Sequence, residues 1–317
     1  MAESNNKTKV VAVVGPTASG KTALAVNLAK IFVGEIVSGD SMQIYKHMTI
    51  GTAKPTEEEM QGVAHHLIDF LEPVEQFSLA DYIKTAMKAI EDISSRKKLP
   101  IVAGGTGLYI DSLLHGITLS PIETDDQLRQ ELYAEAEKHG NEHMHKLLEA
   151  IDPQLATSLH PNNLGRVIRA LEVFRLTGVP MSEHQRRSKP PEPPYSSVYI
   201  ALSYRNRELL YERINHRVDL MVAGGLLDEL NNLLKMGYSK TSFQAIGYKE
   251  LLGYISGESS LSESIENIKM QTRRYAKRQL TWFCRNKDAR FIFVDDYSSL
   301  EELVSSCKQI IETFLED

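Results

Sequence analysis

The sequence predicts an α/β protein, a parallel sheet flanked by helices and interrupted by an all-helical insertion. Three observations predict it. Short β-branched runs at residues 9–14 (KVVAVV), 35–38 (EIVS) and 99–103 (LPIVA) alternate with segments of helical apolar spacing. That alternation is the pattern of a parallel sheet covered on both faces. It stops near Gly116; residues 124–176 carry only helical patterns, broken by Gly140, Asp152-Pro153 and His160-Pro161, before strands return at 197–202 (SVYIAL) and 290–294 (RFIFV). The expected division is a core of residues 1–115 and 196–317 around an insertion of residues 116–195.

The elements follow in order. Within residues 9–14, Val10 to Val14 form an unbroken apolar run, as a strand buried on both faces requires. From Lys21 to Ile31, Leu24, Leu28 and Ile31 recur at helical spacing. In residues 78–93, Leu79, Ile83, Ala86, Met87 and Ile90 share one helix face, and a glycine-rich turn, 104–107 (GGTG), follows the third strand. His65 and His66 are expected to precede a strand and to be structural. Residues 189–194 (KPPEPP) form a stiff connector. Residues 207–234 and 261–285 are each expected as one long helix, and 300–315 as the last.

The chain has 317 residues, 42% hydrophobic and 25% charged, with a net charge of −6. This excludes a disordered or fibrous chain and is long enough for a large core. Two cysteines, Cys284 and Cys307, provide no disulfide framework and no multi-cysteine metal cluster. Residues 1–9 are polar, and the apolar run at 10–14 is too short for a secretory signal or a membrane span. A cytoplasmic protein without a membrane partner is expected.

Residues 15–22 (GPTASGKT) fit the phosphate-binding pattern G-x-x-x-x-G-K-[ST]. They lie between a strand and a helix, which is the context the pattern needs. Gly15, Thr17, Ala18, Ser19 and Gly20 can aim backbone N–H groups at phosphate oxygens, helped by the positive end of the next helix. Lys21 adds a mobile charge, and the Thr22 hydroxyl can ligate Mg²⁺. The sheet is thus P-loop NTPase-like. Such a loop most often means nucleotide hydrolysis or a kinase, with an Asp after a strand holding the metal. Asp40, after the second strand, is better placed for that than the Asp295-Asp296 pair, which reads as a solvated strand end; a helix-capping role for Asp40 is the plain alternative.

The motifs then occur in a fixed order: 15–22, 38–45 (SGDSMQIY), 51–55 (GTAKP), 65–69 (HHLID), 104–109 (GGTGLY), 166–170 (RVIRA), 213–219 (RINHRVD), 244–249 (QAIGYK) and 272–282 (TRRYAKRQLTW). As an ordered set they resemble the bacterial tRNA dimethylallyltransferases, from about Lys9 to Trp282. The resemblance implies transfer of a dimethylallyl group from dimethylallyl diphosphate to N6 of adenosine 37 of tRNA, with Mg²⁺ as cofactor. It implies Asp40 as the base, Thr106 at the reacting adenosine or diphosphate, and Arg217 beside the leaving group. Ser41, Met42 and Gln43 are expected to line the adenine pocket, with Gln43 able to pair with a base edge. Thr106 is equally compatible with a helix N-cap. Arg213 and Arg217 are four residues apart, so both can face one side or form a solvated basic face. His139, His143 and His145 are spaced like metal ligands but lack a cysteine pair or an HExxH pattern, and read as a polar helix face.

Charge distribution bears on the partner. Residues 268–290 carry a net +7, leaving −13 elsewhere. Arg273, Arg274, Lys277 and Arg278 form a basic stripe on one helix, able to contact RNA phosphates or simply to be solvated. The insertion is polarised too: residues 123–152 are acidic, including Glu123, and 160–190 are basic. The resemblance places Gly165, Arg166 and Arg169 of this insertion against the anticodon loop, in a protein expected to act as a monomer. The rivals are prenyl transfer to free adenine nucleotides, a P-loop kinase or NTPase, and an RNA-binding nucleotide sensor.

Overall fold

A computed structural model describes residues 7–118 and 125–316. The polar N-terminal residues 1–6, together with Glu123 and Thr124 of the insertion, lie outside the described residues. The first part of the chain runs β1 (Thr8–Val14), α1 (Lys21–Ile31), β2 (Gly34–Ser38), α2 (Glu57–Met60), β3 (His65–His66), α3 (Leu79–Ser95), β4 (Leu99–Gly104) and α4 (Gly107–Leu114). Helices α5 (Asp126–His139), α6 (Asn141–Ile151), α7 (Pro153–Ser158), α8 (Leu164–Thr177) and α9 (Met181–Arg187) follow. The chain then returns through β5 (Tyr195–Ser203), α10 (Arg207–Ala223), α11 (Leu226–Met236), α12 (Leu252–Ile255), α13 (Leu261–Phe283), β6 (Ala289–Phe293) and α14 (Leu300–Glu316). It divides into two compact units, Met1–Leu114 with Pro194–Asp317, and His115–Pro193.

In the first unit the six strands are all parallel, in the order β3-β2-β4-β1-β5-β6. The alternation of side chains along β1 assigns its two faces. Val10, Ala12 and Val14 pack with Tyr82, Ile90 and Ile110 of α3 and α4. Val11 and Val13 pack with Leu24 and Leu28 of α1 and Cys307 of α14. A third core joins Ile44, Tyr45 and Met48 to Leu226, Leu230, Tyr248 and Ile268, so it seats α11 and α13 against the loop after β2. Helix starts carry their own signals. Ser78 and Asp81 form a capping box on α3, and Ser260 and Glu263 form one on α13.

Two expectations need correction. Residues 207–234 are two helices, because the chain turns at Gly224-Gly225 and Gly225 takes φ +98°, a conformation that stops a right-handed helix. His65 and His66 do not precede a strand; they are β3, paired with Ile36 and Val37, and His66 Nε2 lies 2.7 Å from Glu35 Oε2. No helix among the described residues is long and apolar enough to cross a membrane.

The second unit is all helical around Leu132, Met144, Leu148, Val167, Ile168 and Leu171. Two buried carboxylates organise its turns. Asp152 accepts from Leu155 N (3.1 Å) and Ser182 N (2.8 Å), starting α7 and α9. Glu172, fully buried, receives Arg129 and Arg169 and the N–H of Asp125. Hydrogen bonding to these groups holds its carboxyl below the usual range against the opposing effect of burial.

Because the core of this unit holds only its own residues, Leu148→Ala is expected to destabilise it by about 3 kcal/mol, the burial of the removed methyl groups plus the cavity they leave. Hydrogen exchange is expected to quicken through α5–α8 and leave β1 and β4 unchanged. Equal loss of protection in β1 would contradict separate cores.

Candidate functional site

Three loops leave the same edge of the sheet. After β1, residues 15–20 wrap around the start of α1, with Ala18 and Gly20 at φ +61° and +89°. Helix α1 has no acidic residue in its first turn and no capping side chain, so nothing in the helix itself offsets its positive end. Ser19 Oγ is buried and has no hydrogen-bond partner among the described residues. Lys21 Nζ donates to Pro16 O at 2.5 Å. Burial, reinforced by Arg217 and opposed by Asp40, lowers its pKa to about 7.

The loop after β2 presents Asp40. Its Oδ1 accepts from Met42 N (2.8 Å) and Gln43 N (3.3 Å), an Asx turn that fixes the carboxylate plane. Oδ2 takes no hydrogen bond among the described residues. The turn after β4 supports this loop: Thr106 Oγ1 accepts from Ser41 N at 3.1 Å, and Thr106 N donates to Gly39 O at 3.1 Å. Thr106 therefore ties two loops together, and the α4 start is closed instead by its carbonyl, which accepts from Tyr109 and Ile110. Gly104 lets the loops meet, since a Cβ there would lie 2.3 Å from Gly39 O.

Helices from the last third of the chain close the site. Arg217 of α10 donates to Thr17 Oγ1 (3.2 Å) and Ala53 O (3.5 Å); Arg213, one turn earlier, donates to Ala18 O (3.0 Å). Both thus face the phosphate loop. On α13, the Gln279 amide accepts from Thr17 N and donates to Gly105 O, each at 2.9 Å. Tyr275 lines the same cavity, and burial, reinforced by Asp40, pushes its phenol up to about 12. Glu229 of α11 accepts from three successive N–H groups, those of Thr49, Ile50 and Gly51, at 2.7–2.8 Å, and from the Tyr248 hydroxyl at 2.7 Å. It thereby pins the loop whose Thr52 and Ala53 carbonyls receive the Gln43 side-chain amide. The Gln43 nitrogen is thus engaged by protein, which leaves its Oε1 as the group available to a base edge.

Lys21, Asp40, Gln43, Arg217, Tyr275 and Gln279 line one cavity of about 310 Å³, whereas Thr106, Arg213 and Glu229 stand behind its wall. Its polar end carries Thr17, Lys21, Thr22 and Arg217, with Asp40 and Ser41 on one side. Met42, Ile214, Val218, Met221, Ile246 and Ile268 give it an apolar wall. Such a chamber suits a small ligand with a phosphate head and a hydrocarbon tail. Gly15, Ala18, Ser19 and Gly20 build the loop behind it. Arg278 reaches the rim, its guanidinium 5.7 Å from the Tyr275 ring; Arg274 and Lys277 are exposed, and Arg273 donates to Asn215 Oδ1 at 2.5 Å. In the helical unit Gly165 and Arg166 are exposed on the first turn of α8, whereas Arg169 is paired with Glu172.

Several other residues are occupied elsewhere. Asp295 accepts from Arg205 N and Asn206 N at 2.9 Å, and Asp296 pairs with Arg205, so this pair braces the approach to α10. His143 bonds Glu135, and His145 bonds the carbonyls of Ala156 and Leu159. Gln279 and Glu229 have no signal of their own in the sequence. Gln279 lies inside the 272–282 motif, where the charges of its neighbours dominate the pattern. Glu229 belongs to no motif at all.

The IPP transferase family model matches residues 43–287. The chain is 52% identical over 300 residues to a tRNA dimethylallyltransferase of Caldanaerobacter subterraneus subsp. tengcongensis, covering 93% of this chain and 95% of that protein. A tRNA dimethylallyltransferase of Acetivibrio thermocellus is 49% identical over 307 residues, covering 96% and 98%. The full-length tRNA isopentenylpyrophosphate transferase of Bacillus halodurans superposes with a TM-score of 0.74 at 45% identity, covering 98% of this chain and 97% of that one. A eukaryotic dimethylallyltransferase captured acting on tRNA gives 0.78 at 28% identity, covering 96% and 80%.

The Lys21 environment makes anion binding pH-dependent. A bound diphosphate favours the charged amine, so its pKa rises from about 7 on binding. The Lys21 contribution to inorganic pyrophosphate affinity is therefore full below that pH and declines as pH rises above it. Calorimetry in buffers of different ionisation enthalpy is expected to show proton uptake that Lys21→Ala loses. Identical uptake in the two proteins would contradict this.

Proposed function

The chain belongs to the IPP transferase family, and from that premise we propose how it moves a dimethylallyl group from dimethylallyl diphosphate to N6 of adenosine 37 in tRNA. One observation carries the assignment of roles: a phosphate loop, a carboxylate with an unengaged oxygen and an apolar wall meet in a single cavity. The Thr17 N–H, expected to face phosphate, is taken by Gln279 instead; the diphosphate lies on the remaining loop N–H groups, Lys21 and Arg217, and the five-carbon tail against the side formed by Ile214 and Ile268. The adenine enters past Ser41, Met42 and Gln43. The N6 lone pair attacks C1 as the C1–O bond breaks. Asp40 Oδ2 accepts the N6 proton, and the electron pair of the broken bond leaves with diphosphate. Lys21, Arg217 and the start of α1 face the charge that grows on that leaving group, so they stabilise the transition state more than the ground state. Thr106 acts on the adenosine side by holding the Asp40 loop.

The donor chemistry at the polar end fits Mg²⁺. The Thr22 hydroxyl is a hard oxygen donor, and no cluster of three His, Cys, Asp or Glu occurs among the described residues. That set suits an ion carried mostly by phosphate oxygens and water. Thr22 would hold it, and it would supply charge neutralisation to the departing diphosphate.

The RNA partner is the anticodon stem-loop. On the first unit Arg274, Lys277 and Arg278 of α13 are the proposed phosphate contacts; on the helical unit, taken by itself, Gly165 and Arg166 at the start of α8 are the exposed candidates. Arg169 serves mainly to hold Glu172. The target adenosine leaves its stack to reach Asp40, since its amine is inaccessible within one. The chain acts as a monomer in the cytoplasm, where its substrate is found.

With radiolabelled dimethylallyl diphosphate, label is expected on an anticodon stem-loop and not on AMP; label on AMP alone would assign a free-nucleotide enzyme. Asp40→Asn is expected to cut the single-turnover rate about 10²- to 10⁴-fold while both substrates still bind. An unchanged rate would remove Asp40 as base. Replacing Arg274, Lys277 and Arg278 with alanine is expected to flatten the salt dependence of RNA affinity by about 0.7 log units per log unit of salt for each phosphate no longer neutralised. An unchanged slope would place the RNA elsewhere.

A further inference from the structure

We infer that Gln279 is a positioning residue: its amide sets the spacing between the loop that holds the diphosphate and the turn that supports the base. The inference rests on the transferase assignment above and concerns alignment within it. Gln279 is 5% exposed and makes two hydrogen bonds with opposite roles, accepting from Thr17 N and donating to Gly105 O. Those partners belong to different loops. Thr17 lies in the phosphate loop, and its hydroxyl already receives Arg217. Gly105 precedes Thr106, whose hydroxyl holds Ser41 N next to Asp40. One rigid planar group thus bridges the electrophile's cradle and the nucleophile's side of the cavity. The fit is close, because a Cβ on Gly105 would fall 2.1 Å from Gln279 Nε2.

Gln279, Thr17 and Gly105 line the cavity, but both bonds are made between protein groups. Their loss leaves the diphosphate ligands and the adenine wall in place and frees the two loops to shift against each other. An error of about 1 Å between reacting groups can cost about 10²-fold in rate. The effect is therefore expected in the chemical step, not in affinity.

Two single variants remove the bridge by independent routes. Gln279→Met keeps the side-chain length and loses both hydrogen bonds. Gly105→Ala leaves the amide chemistry intact and pushes it aside; the atom displaced is the far end of a flexible side chain, so folding is retained. The measurements are the single-turnover rate constant with enzyme in excess, which does not depend on the active fraction, and the dissociation constants of a non-reactive thiolodiphosphate analogue and of an anticodon stem-loop. Each variant is expected to lose about 30-fold or more in rate, with both dissociation constants within about threefold of wild type. The double variant is expected to lose little beyond either single one, because one bridge is removed only once. A rate within threefold of wild type in either variant would overturn the inference. So would a rate loss matched by equal weakening of both ligands, or losses that multiply in the double variant. A wild-type protein that fails to transfer to RNA would instead overturn the transferase assignment.

Discussion

Three adjacent parallel strands end level with one another, and the rest of the site depends on this. Val14 of β1 pairs with Gly104 of β4, and Ser38 of β2 pairs with Ala103. The phosphate loop, the Asp40 loop and the Gly105 turn therefore leave the sheet side by side, at the carboxyl ends where ligands of open α/β sheets bind. Reversing one strand of this length would carry its loop to the opposite edge, roughly 20 Å away. Strand direction brings the three loops together; their finer spacing is left to side chains.

Those side chains come from the end of the chain. Helices α10, α11 and α13 carry Arg217, Glu229 and Gln279, and each hydrogen-bonds backbone or hydroxyl groups of the first loops rather than simply packing on them. The polar end that results is poorly balanced. The uncapped start of α1, Lys21 and Arg217 lie together, and the Lys21 pKa falls because burial and repulsion by Arg217 outweigh the attraction of Asp40. An anion at this end relieves that cost, and a leaving group that gains negative charge relieves it further. Part of the folded chain's stability is thus traded for selective attraction to one stage of the reaction.

The fold was legible because its signals are local. An apolar run such as 10–14 can be buried on both faces only in a covered sheet, and the glycines and lysine of 15–22 have few uses other than phosphate. The Asp40 loop was legible for its place after a strand. The break at Gly224-Gly225 was hidden because apolar residues continue at helical spacing on both sides of it, from Val218 to Leu226 and Leu230. β3 was too short to announce itself. Gln279 and Glu229 were invisible for a different reason. Their function lies in partners 262 and about 180 residues away, and an amide or a carboxylate on a helix surface looks the same whether it meets solvent or another loop. Likewise nothing local distinguished Arg169, bound to a buried Glu172, from the exposed Arg166 three residues before it.

In the proposed reaction nucleophile and leaving group face each other across one cavity, so transfer occurs in a single displacement. Its most direct test is the stereochemistry at C1, using dimethylallyl diphosphate made chiral there by deuterium. A single displacement predicts inversion of configuration in the modified adenosine. Retention, which demands a covalent intermediate, or racemisation, which demands a cation free to turn, would contradict it.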